Sequence, residues 1–122
     1  MIIDDEVKNV DLIQMLEEEK RSRINNDTSK QAPLLVEIIR FFFLRNDYDG
    51  LRNHLVNLSK KRNQSKNAIN EMVDYTLNKV YDGILEEDQR IKLLYTLIEI
   101  TEGKIFVEVN YKYKIETLCN CS

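Results

Sequence analysis

His54 is the only histidine in the sequence. A metal or catalytic role would need a second imidazole, a thiolate or a carboxylate at ligand spacing. His54 stands instead between Leu51 and Leu55, where a packing or surface role is expected. Cys119 and Cys121 make a C-x-C pair that could hold a soft metal, but two ligands within the last four residues leave half the coordination sphere unfilled. That position also leaves a disulfide nothing to staple, so both are read as reduced thiols. Gly50, Gly83 and Gly103 are too far apart to form a phosphate-cradling loop. Glu17, Glu18 and Glu19 look like a solvated helix face rather than an acid/base pair in an apolar pocket. No catalytic residues, cofactor motif or metal set emerge, and the chain is read as non-enzymatic.

One stretch invites a binding role: "LSKKRNQSK", residues 58–66, with Lys60, Lys61, Arg62 and Lys66. Its cations could grip phosphates or act as a nuclear-targeting patch. The alternative is the end of one helix, where cations complement the macrodipole, and the loop to the next; this is the preferred reading. Between Arg40 and Lys66, seven basic residues face only Asp47 and Asp49, so a nucleic-acid-binding helical module is the competing function class. Net charge argues against it: the chain carries -3 overall, and residues 1–20 hold seven acids against Lys8 and Lys20. Such an acidic segment repels a polyanion.

The elements that would position these residues read as helices. The 122 residues are one domain's length, and with three Gly and one Pro they lack the breakers that a many-turned β fold needs. No apolar run reaches the roughly 18 residues of a membrane span, and no signal-peptide pattern opens the chain, so it is read as intracellular. The spacing predicts a first amphipathic helix over about Asp5–Ile24, with Val7, Val10, Ile13 and Leu16 inward. The chain is expected to break at Pro33 or to start a new helix near Thr28 or Ser29. "LLVEIIRFFFL", residues 34–44, is apolar nearly all round and predicts a helix with neighbours on several sides. Asp47 is placed as an N-cap, ahead of Leu51, Leu55 and Leu58 at i, i+4, i+7. A further helix turns Ile69, Met72, Val73, Thr76, Leu77 and Val80 inward, and "YDGILEEDQ" breaks it. A last clear helix carries Ile91, Leu94, Tyr95 and Ile98, widened by Leu93, Leu97 and Ile100, with Gly103 as its C′ glycine. Short loops make neighbours antiparallel. The predicted fold is all-α: about six helices in antiparallel hairpins stacked as a short solenoid of the tetratricopeptide-like or HEAT-like kind.

Two motifs in register then carry a resemblance. "NDYDGLRNHLVNLSKKRNQSKNAINEMV" followed by "DQRIKLLYTLIEITEGKIFVEV" resembles the N-terminal region of the non-ATPase regulatory subunit 12 family of the 26S proteasome lid, from about Val36 to Val109. The resemblance implies a right-handed superhelical array of hairpins and a non-catalytic scaffold supporting assembly and ubiquitin-dependent degradation. It also implies other lid and base subunits as partners, no cofactor, and a location in cytoplasm and nucleus. A signalosome-type scaffold is the close alternative. On this reading residues 1–122 are a single N-terminal helical-repeat domain, and the family's later repeats and C-terminal winged-helix module fall outside it.

"ITEGKIFVEVNYKYKIETL", residues 100–118, alternates apolar and polar residues as a half-buried strand does. A strand needs a partner, and no other segment alternates, so a helix over about Lys104–Leu118 is predicted instead. On it Ile105, Phe106, Val109 and Tyr113 form one face, and Val107, Tyr111, Ile115 and Leu118 form nearly the opposite one. With no hairpin following, the second stripe is expected to lie bare as an interaction surface, open to self-association.

Overall fold

A computed structural model describes the backbone of residues 3–102 and 115–118, and the side chains within those ranges from residue 11 onward. The described residues are helical with no strand: α1 (Ile3–Ile24), α2 (Thr28–Leu44), α3 (Tyr48–Ser59), α4 (Lys66–Tyr75), a π-helical turn (Thr76–Val80), α5 (Tyr81–Gly83) and α6 (Glu87–Thr101). Residues 115–118 are helical as well. Helix α2 packs against α1, α3 and α4, and α3 packs in turn against α6. These are stacked helix pairs, as the periodicity predicts. Leu35, Ile38, Ile39 and Phe42 of α2 share one buried cluster with Leu51, Leu55 and Leu58 of α3, with Ile69, Met72 and Val73 of α4, and with Leu93 and Leu97 of α6.

Each corner is built by local chemistry. Asn26 and Asn46 adopt left-handed backbone conformations, φ 54° and 56°. This lets the Asp27 N–H donate back to Ser22 O (2.8 Å) and the Asp47 N–H to Phe42 O (3.0 Å), closing the last carbonyls of α1 and α2 in the same way. The following aspartate begins the next helix: Asp47 Oδ1 accepts the Gly50 N–H at 3.0 Å, as expected of an N-cap. The third corner is "LSKKRNQSK", with Asn63 at φ 64° and Ser65 Oγ capping α4 through the Ala68 N–H at 3.3 Å. The stretch is a loop between helices, as preferred from its sequence.

Two glycines are required by close approach. A Cβ on Gly50 would lie 2.8 Å from Phe42 Cδ1, and one on Gly83 would overlap the tip of the Phe43 ring. Their hydrogens let α3 and α5 lie directly on the aromatic end of α2.

Several details differ from the sequence reading, each for a physical reason. The break at Pro33 does not occur: α2 starts at Thr28, as the other expectation has it, and runs through the proline. The N–H that proline lacks would have served the carbonyl of Ser29, an exposed residue in the first turn where water can take its place. The inward stripe of α1 is Leu12, Met15, Leu16, Glu19 and Ser22, so Ile13 is turned out to 56% exposure. Glu19, assigned by sequence to a solvated face, is 2% exposed and is neutralised by a salt bridge from Arg23, one turn on. Tyr95 lies on the outer face of α6 at 67% exposure, while Leu93, Leu94, Leu97 and Ile100 take the inner one. The α4 stripe through Val80 is buried as predicted, but the helix passes through a π turn in which the Tyr81 N–H reaches Thr76 O, five residues back.

Gln31 joins three helices. It is buried in α2; its Nε2 donates to Ser22 O in α1 (3.3 Å) and its Oε1 accepts the Ser65 N–H at the cap of α4 (2.8 Å). Gln31→Leu keeps the size but strips the Ser65 N–H of its acceptor, while Ser22 O keeps the Asp27 N–H, so it should cost about 1–3 kcal/mol. Urea denaturation checks this: the midpoint should fall with the slope unchanged, and an unchanged midpoint would mean water replaces the amide.

Candidate interaction surface

The residues that could have gripped a polyanion do not form one surface. Arg40 pairs with Glu37 one turn away (3.6 Å), and Arg45 lies over the Phe41 ring at 4.9 Å. Arg52 is drawn inward, bonded to Asp49 and donating from Nη1 to Gln89 Oε1 of α6 at 2.6 Å. Lys60, Lys61 and Arg62 remain exposed at the α3–α4 corner. A short exposed corner lacks the continuous basic stripe of a nucleic-acid site.

His54 has a packing role. Its ring lies 4.3 Å from that of Phe42, tilted by 30°, and Nδ1 is 2.8 Å from Gly50 O. Among the described residues no three His, Cys, Asp or Glu side chains converge as a metal site, and no helix is long and apolar enough to cross a membrane.

The sequence-derived surface divides. Val107 and Tyr111 lie outside the described residues, as do Ile105, Phe106, Val109, Tyr113, Gly103, Cys119, Cys121 and most of the helix expected over Lys104–Leu118. Ile115 is 2% exposed and belongs to the main core cluster, and Leu118 is half-buried against it. Ile115 is therefore structural in this arrangement: its side chain helps close the core that α2 to α6 share.

Sequence reasoning did not identify the surfaces flanking α2. One groove runs between α1 and α2, lined by Asp11, Met15, Glu18, Glu37, Phe41 and Leu44. Leu44 stands 66% exposed at its end. A second groove runs between α2 and α4 and is lined by Val36, Asn70, Asp74 and Tyr75. Burial pushes the Tyr75 phenol above its ordinary range; the nearby Arg40 guanidinium opposes that shift and Glu37 adds to it. The available signal was the phase of α2. Gln31, Leu35, Ile38 and Phe42 repeat at helical spacing and mark the covered face, so Leu44 falls off it.

Compared with known proteins, residues 11–115 match the family described as "PSMD12/CSN4, N-terminal". The 26S proteasome non-ATPase regulatory subunit 12 homolog B of Arabidopsis thaliana is 35% identical over 95 residues, covering 78% of this chain and 21% of that protein. The 26S proteasome regulatory subunit rpn501 of Schizosaccharomyces pombe is 37% identical over 91 residues, 75% of this chain and 20% of the relative. The 26S proteasome regulatory subunit RPN5 of Saccharomyces cerevisiae is 34% identical over 99 residues, 80% and 22% respectively. The chain thus spans about a fifth of the length of the curated relatives it matches.

Two substitutions separate surface from core. Changing Lys60, Lys61 and Arg62 together to Gln should shift stability by less than about 0.5 kcal/mol per site, read as an almost unchanged Tm. Ile115→Lys buries an unpaired charge and should cost on the order of 3–5 kcal/mol. A fully folded Ile115→Lys variant by near-ultraviolet circular dichroism and melting would return that residue to the surface.

Proposed function

The chain belongs to the PSMD12/CSN4 N-terminal family, and on that premise we propose that it is a non-catalytic scaffold segment of a proteasome regulatory-particle lid subunit. The observation that carries this reading is the extent of the match. Residues 11–115 run from the middle of α1 to Ile115 and include every helix of the shared core. A scaffold role suits this construction. Stacked helix pairs bury their apolar faces against one another and leave the outer faces and corners to meet other proteins. On this reading residues 1–122 act as one helical-repeat unit, its partners are other lid and base subunits, and it works in cytoplasm and nucleus in ubiquitin-dependent degradation.

The second reading is a signalosome-type scaffold, favoured by the family description, which joins both branches. The relatives reported above carry proteasome names, which supports the proteasome reading over this one. Affinity purification of the tagged chain from its own cells, followed by mass spectrometry, separates the two. Lid subunits should co-purify in near-equal amounts. Signalosome subunits in their place would move the assignment to the other branch, and a chain recovered alone would overturn the scaffold reading.

A further inference from the structure

The α1–α2 groove has a chemical asymmetry that identifies what it can hold. Its floor is apolar: Met15 from α1 and Phe41 from α2 are half-buried there, and Leu44 extends the apolar stretch to the end of α2 with two-thirds of its surface exposed. Its two edges differ. On α1, Asp11, Gln14 and Glu18 follow at i, i+3, i+7, and Gln14 Nε2 donates to Glu18 Oε1 at 3.3 Å, so this edge is acidic from Asp11 to Glu18, with Arg21 the next residue along it. On α2, Glu37 and Arg40 face each other at 3.6 Å and largely cancel. Arg45, beyond the groove end, is held over Phe41.

Glu18 also lines a second stretch of surface that continues between the same two helices past Arg21 to Asn25 and Lys30. From Asp11 to Asn25 the groove follows α1 for about 20 Å, roughly four helical turns. A helix-lined groove of that length, with an apolar floor along the part lined by Met15, Phe41 and Leu44, suits a helix laid along it, with anchors at i, i+3/i+4 and i+7. An acidic edge beside an apolar floor selects the charge of that helix.

We infer that the α1–α2 groove is a docking site for an amphipathic helix of a partner protein, which seats an apolar stripe on Met15, Phe41 and Leu44 and carries Lys or Arg along the edge facing Asp11 and Glu18. A second copy of this chain is a poorer occupant, because a self-complementary contact sets the same acidic α1 edge against itself. This deepens the scaffold reading and rests on it. The two fail separately: the scaffold reading fails when no assembly co-purifies, and the groove fails on the titrations that follow.

The test uses two labelled peptides of about four turns with the same leucine stripe, one bearing Lys and the other Glu on the polar face. Each is titrated into the purified chain by fluorescence anisotropy. The Lys peptide should bind at least about tenfold more tightly than the Glu peptide, with an affinity that falls as salt rises. Leu44→Asp should weaken the Lys peptide about tenfold or more, and Asp11→Lys with Glu18→Lys should reverse the preference. Both changes fall on residues that are not buried, and a circular dichroism melt verifies that each variant is folded. Tyr95→Asp, on the outer face of α6, should leave binding unchanged. Equal binding of the two peptides, or indifference to Leu44→Asp, overturns the inference. So does a sedimenting dimer of the chain alone that Leu44→Asp dissolves, because it makes the occupant a second copy.

Discussion

Helix α2 carries apolar side chains around more of its circumference than any one neighbour can cover, and the other helices are placed to cover them. Leu35, Ile38, Ile39 and Phe42 are buried, and Leu34, Val36, Phe41 and Phe43 are half-buried around them. Covering that surface draws α1, α3 and α4 against the same helix. The hydrophobic term is large but non-directional, so direction comes from elsewhere. Gln31 fixes the near end of α2 by joining the last turn of α1 to the cap of α4. Gly50 and Gly83 fix the far end, where only hydrogen fits against the Phe42 and Phe43 rings.

The corners make this arrangement repeatable. Asn26, Asn46 and Asn63 adopt left-handed backbone conformations at the ends of α1, α2 and α3, and the connections that follow are short. Short connections return the chain antiparallel to itself, so successive helices remain in contact. Polar groups freed at the first three corners are used locally, by Asp47, Ser65 and the backbone donors there. The lateral grooves then offer apolar surface in addition to the exposed Ile13, Ile24, Leu85 and Tyr95. Membership of the PSMD12/CSN4 N-terminal family fits such a body of packed helix pairs.

Charge follows the same logic. The basic residues that dominate the middle of the sequence are distributed by the fold: Arg40 to Glu37, Arg45 over an aromatic ring, Arg52 to Asp49 and Gln89. Glu19 is carried into the interface with its own counter-ion, Arg23. The acidic balance of the first helix persists along the exposed edge of the α1–α2 groove, where it can discriminate between partners.

The sequence by itself determined the helical class, the stripes of α3 and α4, the Asp47 cap, the corner at Lys60–Ser65 and the family, because each depends on residues near one another in the chain. Periodicity and capping are local rules, and the two family motifs are read without any fold. Only the tertiary structure decided what depends on phase and on distant neighbours. Val7, Val10, Ile13 and Leu16 satisfy one helical stripe of α1 on paper. The face that α2 covers, however, is set a fraction of a turn away and includes Glu19 and Ser22 in place of Ile13. By spacing Tyr95 belongs with Leu94 and Ile98, yet it points away from the shared core that Leu93, Leu97 and Ile100 help to build. Ile115 is apolar on either face of any helix drawn through it; it joins a cluster whose preceding buried members end at Ile100, 15 residues earlier in the chain, beyond the reach of a local pattern. The α1–α2 groove was hidden for the same reason. Asp11 and Leu44 are far apart in sequence, and only the turn at Asn26 brings them to opposite walls of one surface.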